Sequence, residues 1–178
     1  MKKLALLWML VLLGMTGVMA QPKSNAGQDS CRRWRTQVDP GEKRISIEIA
    51  TLSDNEIEEG IKCLLTLQGQ RARARIYGDT RANYNKADGY KPPHNPASIE
   101  IAALYYISYL FTNNWEHAAS VVLVNDNEEI DEKTNTRAIV DRAFKSYREW
   151  FQKVNEIGLK KARELKLNPL EGSGVRWL

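Results

Sequence analysis

The sequence predicts a mainly α-helical protein, a small bundle built on a central apolar helix and a helical hairpin. Three observations predict it. Residues 99–111, IEIAALYYISYLF, are apolar on nearly every face of a helix. Residues 140–157 carry apolar side chains at heptad spacing. Residues 53–69 have the start and stop signals of an amphipathic helix. We therefore expect one helical domain over residues 44–168, followed by a C-terminal tail at residues 169–178.

The first twenty residues have the pattern of a secretory signal peptide. A basic start, MKK, precedes an apolar run, and Val18, Met19 and Ala20 stand where a signal peptidase cleaves. An uncleaved anchor is the alternative, but the run is short of the roughly 20 residues that span a bilayer. We expect cleavage after Ala20 and a soluble periplasmic or secreted product with no membrane anchor.

The only two cysteines, Cys31 and Cys63, are predicted to form a disulfide. An even cysteine count in an exported chain favours pairing, and no C-x-x-C motif suggests redox chemistry. The bond would tie a polar leader, residues 21–43, to the first helix. Closing a loop of this length stabilises a fold by about 3–4 kcal/mol.

A minor N-terminal β-strand or hairpin is expected just before that helix. In residues 45–49, isoleucines alternate with polar residues after the turn-forming sequence DPGE. The candidate partner strands are residues 34–38 and 71–77, and both are weak. Any sheet would therefore be two-stranded.

The first helix is predicted to begin after Ser53 and to end before Gly69. Ser53 and Glu56 have the spacing of a capping box, and glycine is the usual residue beyond a helix C-terminus. Its apolar stripe comprises Ile57, Ile61, Leu64 and Leu65.

The apolar segment at residues 99–111 is predicted to be the buried centre of the bundle. Asn95 is a suitable N-cap and Pro96 a suitable first helical residue, so the helix should run from there to about Thr112. Its apolar part covers about 20 Å of helix, short of the roughly 30 Å hydrocarbon core of a bilayer. The aromatic side chains are typical of a core, and no cofactor site is indicated.

Two further helical regions follow. Residues 115–124 predict a short helix that completes a hairpin with the central one. Residues 140–157 predict a long helix that breaks at Gly158, and Pro169 should stop the last helix. The packing seam of the long helix comprises Val140, Ala143, Tyr147, Trp150, Val154 and Ile157.

No catalytic or metal-binding motif is present. The chain has no G-x-S-x-G, H-E-x-x-H or phosphate-binding glycine loop, and its two histidines are His94 and His117. The acidic residues 126–132 lack EF-hand spacing. Glu116 beside His117 is the only candidate acid/base pair, and adjacent helical residues point in different directions. A small periplasmic enzyme at that pair, or a purely structural envelope protein, are the alternatives to a binding function.

Residues 71–96 are the strongest candidate for a binding surface. Long connections without regular structure are often functional, and this one carries six basic and two acidic residues with three tyrosines. The candidate binding residues are Arg71, Arg73, Arg75, Tyr77, Arg81, Tyr84, Tyr90 and Lys91. The alternative is that the tyrosines pin a structural loop over the bundle.

Charge distribution narrows the class of partner. Without the signal peptide the chain carries 24 basic and 22 acidic residues, so net charge does not indicate nucleic acid. Residues 71–96 are basic, residues 97–137 acidic and residues 138–178 basic. We expect an exported helical protein that binds another protein or an anionic envelope polymer, as an inhibitor, an immunity-type protein or an accessory subunit.

Overall fold

The computed structural model describes residues 30–75, 97–113, 121–126 and 134–177. These residues confirm the mainly helical fold with a minor antiparallel sheet. The predicted signal peptide and most of the predicted helix at residues 115–124 lie outside them. The elements are α1 (Arg32–Val38), a 3₁₀ turn (Ile49–Thr51), α2 (Asp54–Leu65), α3 (Ile99–Thr112), β1 (Leu123–Asn125), α4 (Arg137–Ile157), α5 (Leu159–Glu164) and β2 (Val175–Trp177).

Helix α3 is the central element, as predicted. It contacts α1, α2, α4 and α5, and within it only Thr112 is exposed. Leu104, Ile107 and Leu110 have no exposed surface. Each such side chain contributes about 1.5–3 kcal/mol on burial. None of the helices in the described ranges combines the length and apolar character needed to cross a membrane.

Helix α3 begins at Ile99, three residues later than the sequence signals indicate. The backbone just before Ile99 is extended and pairs with residues 72–74 instead of forming a helical turn. Ala74 N–H donates to the Ala97 carbonyl at 2.8 Å, and Ile99 N–H donates to the Ala72 carbonyl at 2.9 Å. This extended pairing makes Ser98 the N-cap residue, with ψ of 162°. Asn95 and Pro96 lie outside the described residues.

The predicted strand at residues 45–49 is absent. Ile45 N–H donates to Thr36 Oγ1 at 3.2 Å, and Gln37 Nε2 donates to the Ile45 carbonyl at 2.6 Å. Side chains of α1 therefore satisfy the backbone groups that a neighbouring strand would have paired. Ile49 is buried, but it belongs to the 3₁₀ turn, and 43% of Ile45 is exposed. The alternating pattern consequently does not mark a sheet face.

The minor sheet joins β1 to β2 at the other end of the described chain. The strands are antiparallel, with Leu123 opposite Trp177 and Asn125 opposite Val175. The hairpin helix predicted to end near Val124 is therefore wrong at that end, because residues 123–125 are extended. Leu123 N–H also donates to Asn135 Oδ1 at 2.8 Å, which links the strand to the turn before α4.

The predicted disulfide is present, and the leader that it anchors contains α1. The Cα atoms of Cys31 and Cys63 are 5.3 Å apart. Trp34 of α1 is fully buried against α2. A Cβ atom at Gly60 would lie 2.9 Å from its indole ring, so only glycine allows this approach. The part of the leader that the structure describes thus contributes to the core through Trp34.

The capping box that begins α2 is confirmed, whereas the helix ends at Leu65, four residues before Gly69. The Ser53 side chain accepts from Glu56 N–H, and the Glu56 carboxylate accepts from Ser53 N–H at 3.0 Å. Hydrogen bonds to the Glu56 carboxylate from Ser53 N–H, from the Ser53 hydroxyl and from Arg33 lower the pKa of Glu56. Gly69 has a φ of +89°, which favours glycine at the helix exit.

Helix α4 buries its predicted seam except for the last position. The buried members are Val140, Ala143, Tyr147, Trp150 and Val154. Ile157 is wrong as a core residue, because the helix ends there and 42% of this side chain is exposed. The predicted break follows at Gly158, with a φ of +84°.

Residues after α5 fold back onto the bundle. Leu170 and Val175 are buried, and Ser146 Oγ donates to the Pro169 carbonyl at 2.7 Å. Arg163 of α5 donates to the carbonyls of Leu110 and Phe111, which closes the C-terminal end of α3. This end of α3 lies opposite the end that packs on residues 72–74.

Candidate binding surface

Residues 71–75, here called the basic segment, are the described part of the predicted binding loop. Arg73 and Ser98 form an isolated antiparallel bridge, and Arg75 N–H donates to the Val38 carbonyl at 2.7 Å. Ala74 is buried between these attachments. The backbone of the basic segment is therefore held by both α1 and the entry to α3.

The three arginines of the basic segment have different environments. The Arg75 guanidinium donates to the carbonyls of Pro40, at 3.3 Å, and Glu42. Arg75 thus holds the turn after α1 and is committed to the fold. Arg71 and Arg73 are exposed.

The same contacts bring a second basic stretch alongside. Arg75 bonds to the carbonyls of residues 40 and 42, so the exposed residues Lys43 and Arg44 follow a turn that is held at the Arg75 end of the basic segment. The carboxylate of Glu42 pairs with Arg32 at 3.2 Å, which offsets its charge. We call Lys43, Arg44, Arg71 and Arg73 the basic patch.

A buried carboxylate, that of Glu100, lies at the start of the basic segment, next to residues 69 and 70. Glu100 is 4% exposed and accepts from Gly69 N–H at 2.7 Å and from Arg137 Nη1 at 3.1 Å. These bonds connect the exit of α2, the first turn of α3 and the first turn of α4. A buried carboxylate with such partners holds its neighbours in one geometry.

Asp141 extends this network to the surface. Burial opposes ionisation of Asp141, but hydrogen bonds from Arg137 and Gln68, together with the nearby charge of Arg71, lower its pKa. Asp141 therefore remains ionised close to Arg71. Of the four cations in the basic patch, Arg71 is the one whose charge this carboxylate offsets.

The other predicted site residues lie outside the described part of the chain. They are Tyr77, Arg81, Tyr84, Tyr90, Lys91, His94, Glu116 and His117. Their grouping with the basic segment stays a prediction. Within the described ranges, no cluster of three or more histidine, cysteine, aspartate or glutamate residues could hold a metal ion.

The chain was compared with protein-family models, curated proteins and solved structures. None matches. The surface and the cavities of this chain are therefore the features that indicate its function.

Sequence reasoning missed a cleft at the opposite end of α3. It has a volume of about 780 Å³ and lies between α3, α4 and the C-terminal residues 163–177. Tyr147 forms part of its lining and is fully buried, and burial raises the pKa of Tyr147 to about 12. Tyr147 was expected in the core, but nothing local indicated that Trp177 would reach it.

Proposed function

We propose that this protein is an exported binding protein that holds an acidic surface of another protein on its basic patch. The observation that carries the proposal is the attachment of the basic segment. Its backbone bonds to Val38, Ala97 and Ile99 while Arg71 and Arg73 remain exposed. Cationic side chains on a held backbone lose less conformational entropy on binding than those on a free loop.

Two observations support export. The Cys31–Cys63 disulfide is the kind of bond that persists in oxidising compartments. Residues 1–20 have the charge and hydropathy pattern of a secretory signal.

An acidic protein surface fits the charge pattern better than a long anionic polymer. The carboxylate of Asp141 lies close to Arg71 of the basic patch, and residues 97–137 carry seven acidic and two basic residues along the sequence. A polymer extending beyond the basic patch would meet the repulsive carboxylate of Asp141. A discrete acidic patch would meet complementary charge only.

A capture experiment with the mature, oxidised protein tests the proposal. The protein is immobilised, and the exported fraction of the producing cells is passed over it at low salt. The test variant is Lys43→Glu with Arg73→Glu, because Arg71 and Arg75 have partners inside the molecule. The control is Lys153→Glu with Lys160→Glu, which makes the same charge change at exposed sites. Lys153 lies roughly 24 Å along α4 from Arg137.

We expect an acidic protein, identified by mass spectrometry, to be retained by wild type and control and lost from the test variant. Retention of the same proteins by all three would contradict the proposal. If wild type retains a polysaccharide or other anionic polymer instead of a protein, the partner of the basic patch is that polymer and the proposed acidic protein is wrong. Circular dichroism should confirm that each variant is folded.

A further inference from the structure

The cleft at the C-terminal end of α3 has the size of a small-molecule site. Its volume of about 780 Å³ falls within the roughly 300–1,000 Å³ of typical ligand pockets. It lies at the opposite end of α3 from the basic patch, because its lining includes Ser108, Phe111 and Thr112 and no residue from the first turns of the helix. It is therefore a separate surface from the proposed protein-binding site.

A chain of neutral hydrogen bonds forms the floor of the cleft. Trp177 Nε1 donates to Tyr147 Oη at 3.0 Å, and Tyr147 Oη lies 2.5 Å from Ser108 Oγ. Ser108 Oγ also lies 3.3 Å from the Leu104 carbonyl oxygen, and either hydroxyl can donate in the bond between Ser108 and Tyr147. All three side chains are hydrogen-bonded, and the floor supplies no charge that would stabilise a buried ion.

Apolar and aromatic side chains line the rest of the interior. Phe111, Leu170 and Val175 contribute aliphatic and ring surface, and the indole of Trp177 forms one wall. Trp177 also meets the Tyr105 ring edge-on, with centroids 6.3 Å apart, which restricts its position. An apolar or aromatic ligand body would fit this interior without stranding a polar group.

Charged groups of both signs line the cleft. Arg163, Lys166 and Arg176 line it together with Asp126 and Glu171. Arg163 is engaged with the carbonyls of Leu110 and Phe111. Lys166 and Arg176 are exposed, and their side chains make no hydrogen bond or ion pair to other described residues.

We propose that this cleft binds a small amphipathic anion. Its aromatic or aliphatic body occupies the interior beside Trp177, and a single carboxylate or sulfonate lies between Lys166 and Arg176. The uncharged floor favours an apolar body, Lys166 and Arg176 favour one anionic end, and Asp126 and Glu171 in the same lining disfavour a second one. The proposal stands independently of the basic patch.

Titration with anilinonaphthalene sulfonate, an aromatic body with one sulfonate, tests the inference. Calorimetry and fluorescence should report one saturable site per folded chain. Lys166→Gln with Arg176→Gln should weaken binding about tenfold, as expected for two lost exposed ion pairs. Lys153→Gln with Lys160→Gln removes the same charge elsewhere and should bind as wild type does.

Two measurements on the wild-type protein complete the test. Affinity for the anilinonaphthalene sulfonate should fall as salt rises, because the rim charges are screened. An aromatic quaternary ammonium dye of similar size should bind at least tenfold more weakly. Equal binding of the cationic dye, salt-independent binding, or unchanged affinity in the rim variant would each overturn the proposal.

Discussion

Replacing Tyr147 by phenylalanine tests the buried hydrogen-bond chain and has a pH dependence that can be worked out in advance. The change keeps the ring and removes only the hydroxyl. It leaves Trp177 Nε1 without its acceptor and the Ser108 hydroxyl without its phenol partner. An unpaired buried polar group costs about 1–3 kcal/mol. We expect the variant to lose about 2 kcal/mol of unfolding free energy at pH 8.

The difference in unfolding free energy between wild type and Tyr147→Phe should become smaller at alkaline pH. The pKa of Tyr147 is raised to about 12 in the folded protein, against about 10 for an unfolded tyrosine. Because the folded pKa is the higher one, the contribution is complete below pH 10 and is lost as pH rises toward 12. Between pH 9 and 11 ionisation of Tyr147 alone should lower the unfolding free energy of wild type by about 1 kcal/mol. Phenylalanine cannot ionise.

Urea unfolding of the oxidised protein, followed by circular dichroism at pH 8, 9, 10 and 11, measures both effects. Ser108→Ala is the matched control, since it removes one partner but retains the phenol. Because the Ser108 hydrogen bond lowers the pKa of Tyr147, this control should keep the alkaline loss. Parallel pH profiles for wild type and Tyr147→Phe would refute the reasoning, and so would equal stability at pH 8.

Three other predictions concern the core. Trp150→Ala should lower the unfolding free energy by about 3–5 kcal/mol, because Trp150 is 4% exposed, and a midpoint equal to wild type would exclude it from the core. Gly60→Ala should lower the unfolding free energy by about 1–3 kcal/mol, because the added methyl group forces the Trp34 ring to move. An unchanged urea midpoint would show that the ring can move without loss of stability. Non-reducing peptide mapping should recover Cys31 linked to Cys63, and reduction should lower stability by about 3 kcal/mol, whereas free thiols would contradict export through an oxidising compartment.

Features encoded by neighbouring residues were predictable from the sequence. The capping box at Ser53 and the break at Gly158 each depend on a few adjacent positions, so the local pattern is sufficient. The spacing of Tyr147 and Trp150 likewise indicates one buried helix face. The pairing of the two cysteines was predicted from their even number and from the predicted export, and not from their separation in the sequence.

Features made by distant residues were not predictable. The burial of Trp34 depends on the absence of a side chain at Gly60, which no local pattern records. The sheet joins residues 123–125 to residues 175–177, and neither stretch has a strong strand signal. The alternation around Ile45 indicated a strand, but side chains of α1 take its backbone hydrogen bonds.

The candidate site was predictable in part. The basic composition of residues 71–96 pointed to Arg71, Arg73 and Arg75 together, but only contacts in the fold distinguish them. The Arg75 guanidinium donates hydrogen bonds to carbonyls of the turn after α1. Lys43 lies on that turn, and its place beside the basic segment follows from the same contact. The cleft beside Trp177 was not foreseen, since its walls come from separate segments.

The most direct test of the basic patch as a binding surface is the association rate of the captured partner at two salt concentrations. Charges at the edge of an interface chiefly set the association rate and its salt dependence. For wild type, the rate should fall about tenfold or more between low and physiological salt. For Lys43→Glu with Arg73→Glu, it should be slower at low salt and nearly independent of salt. An association rate and salt dependence equal to those of wild type would contradict the account and place the interface elsewhere.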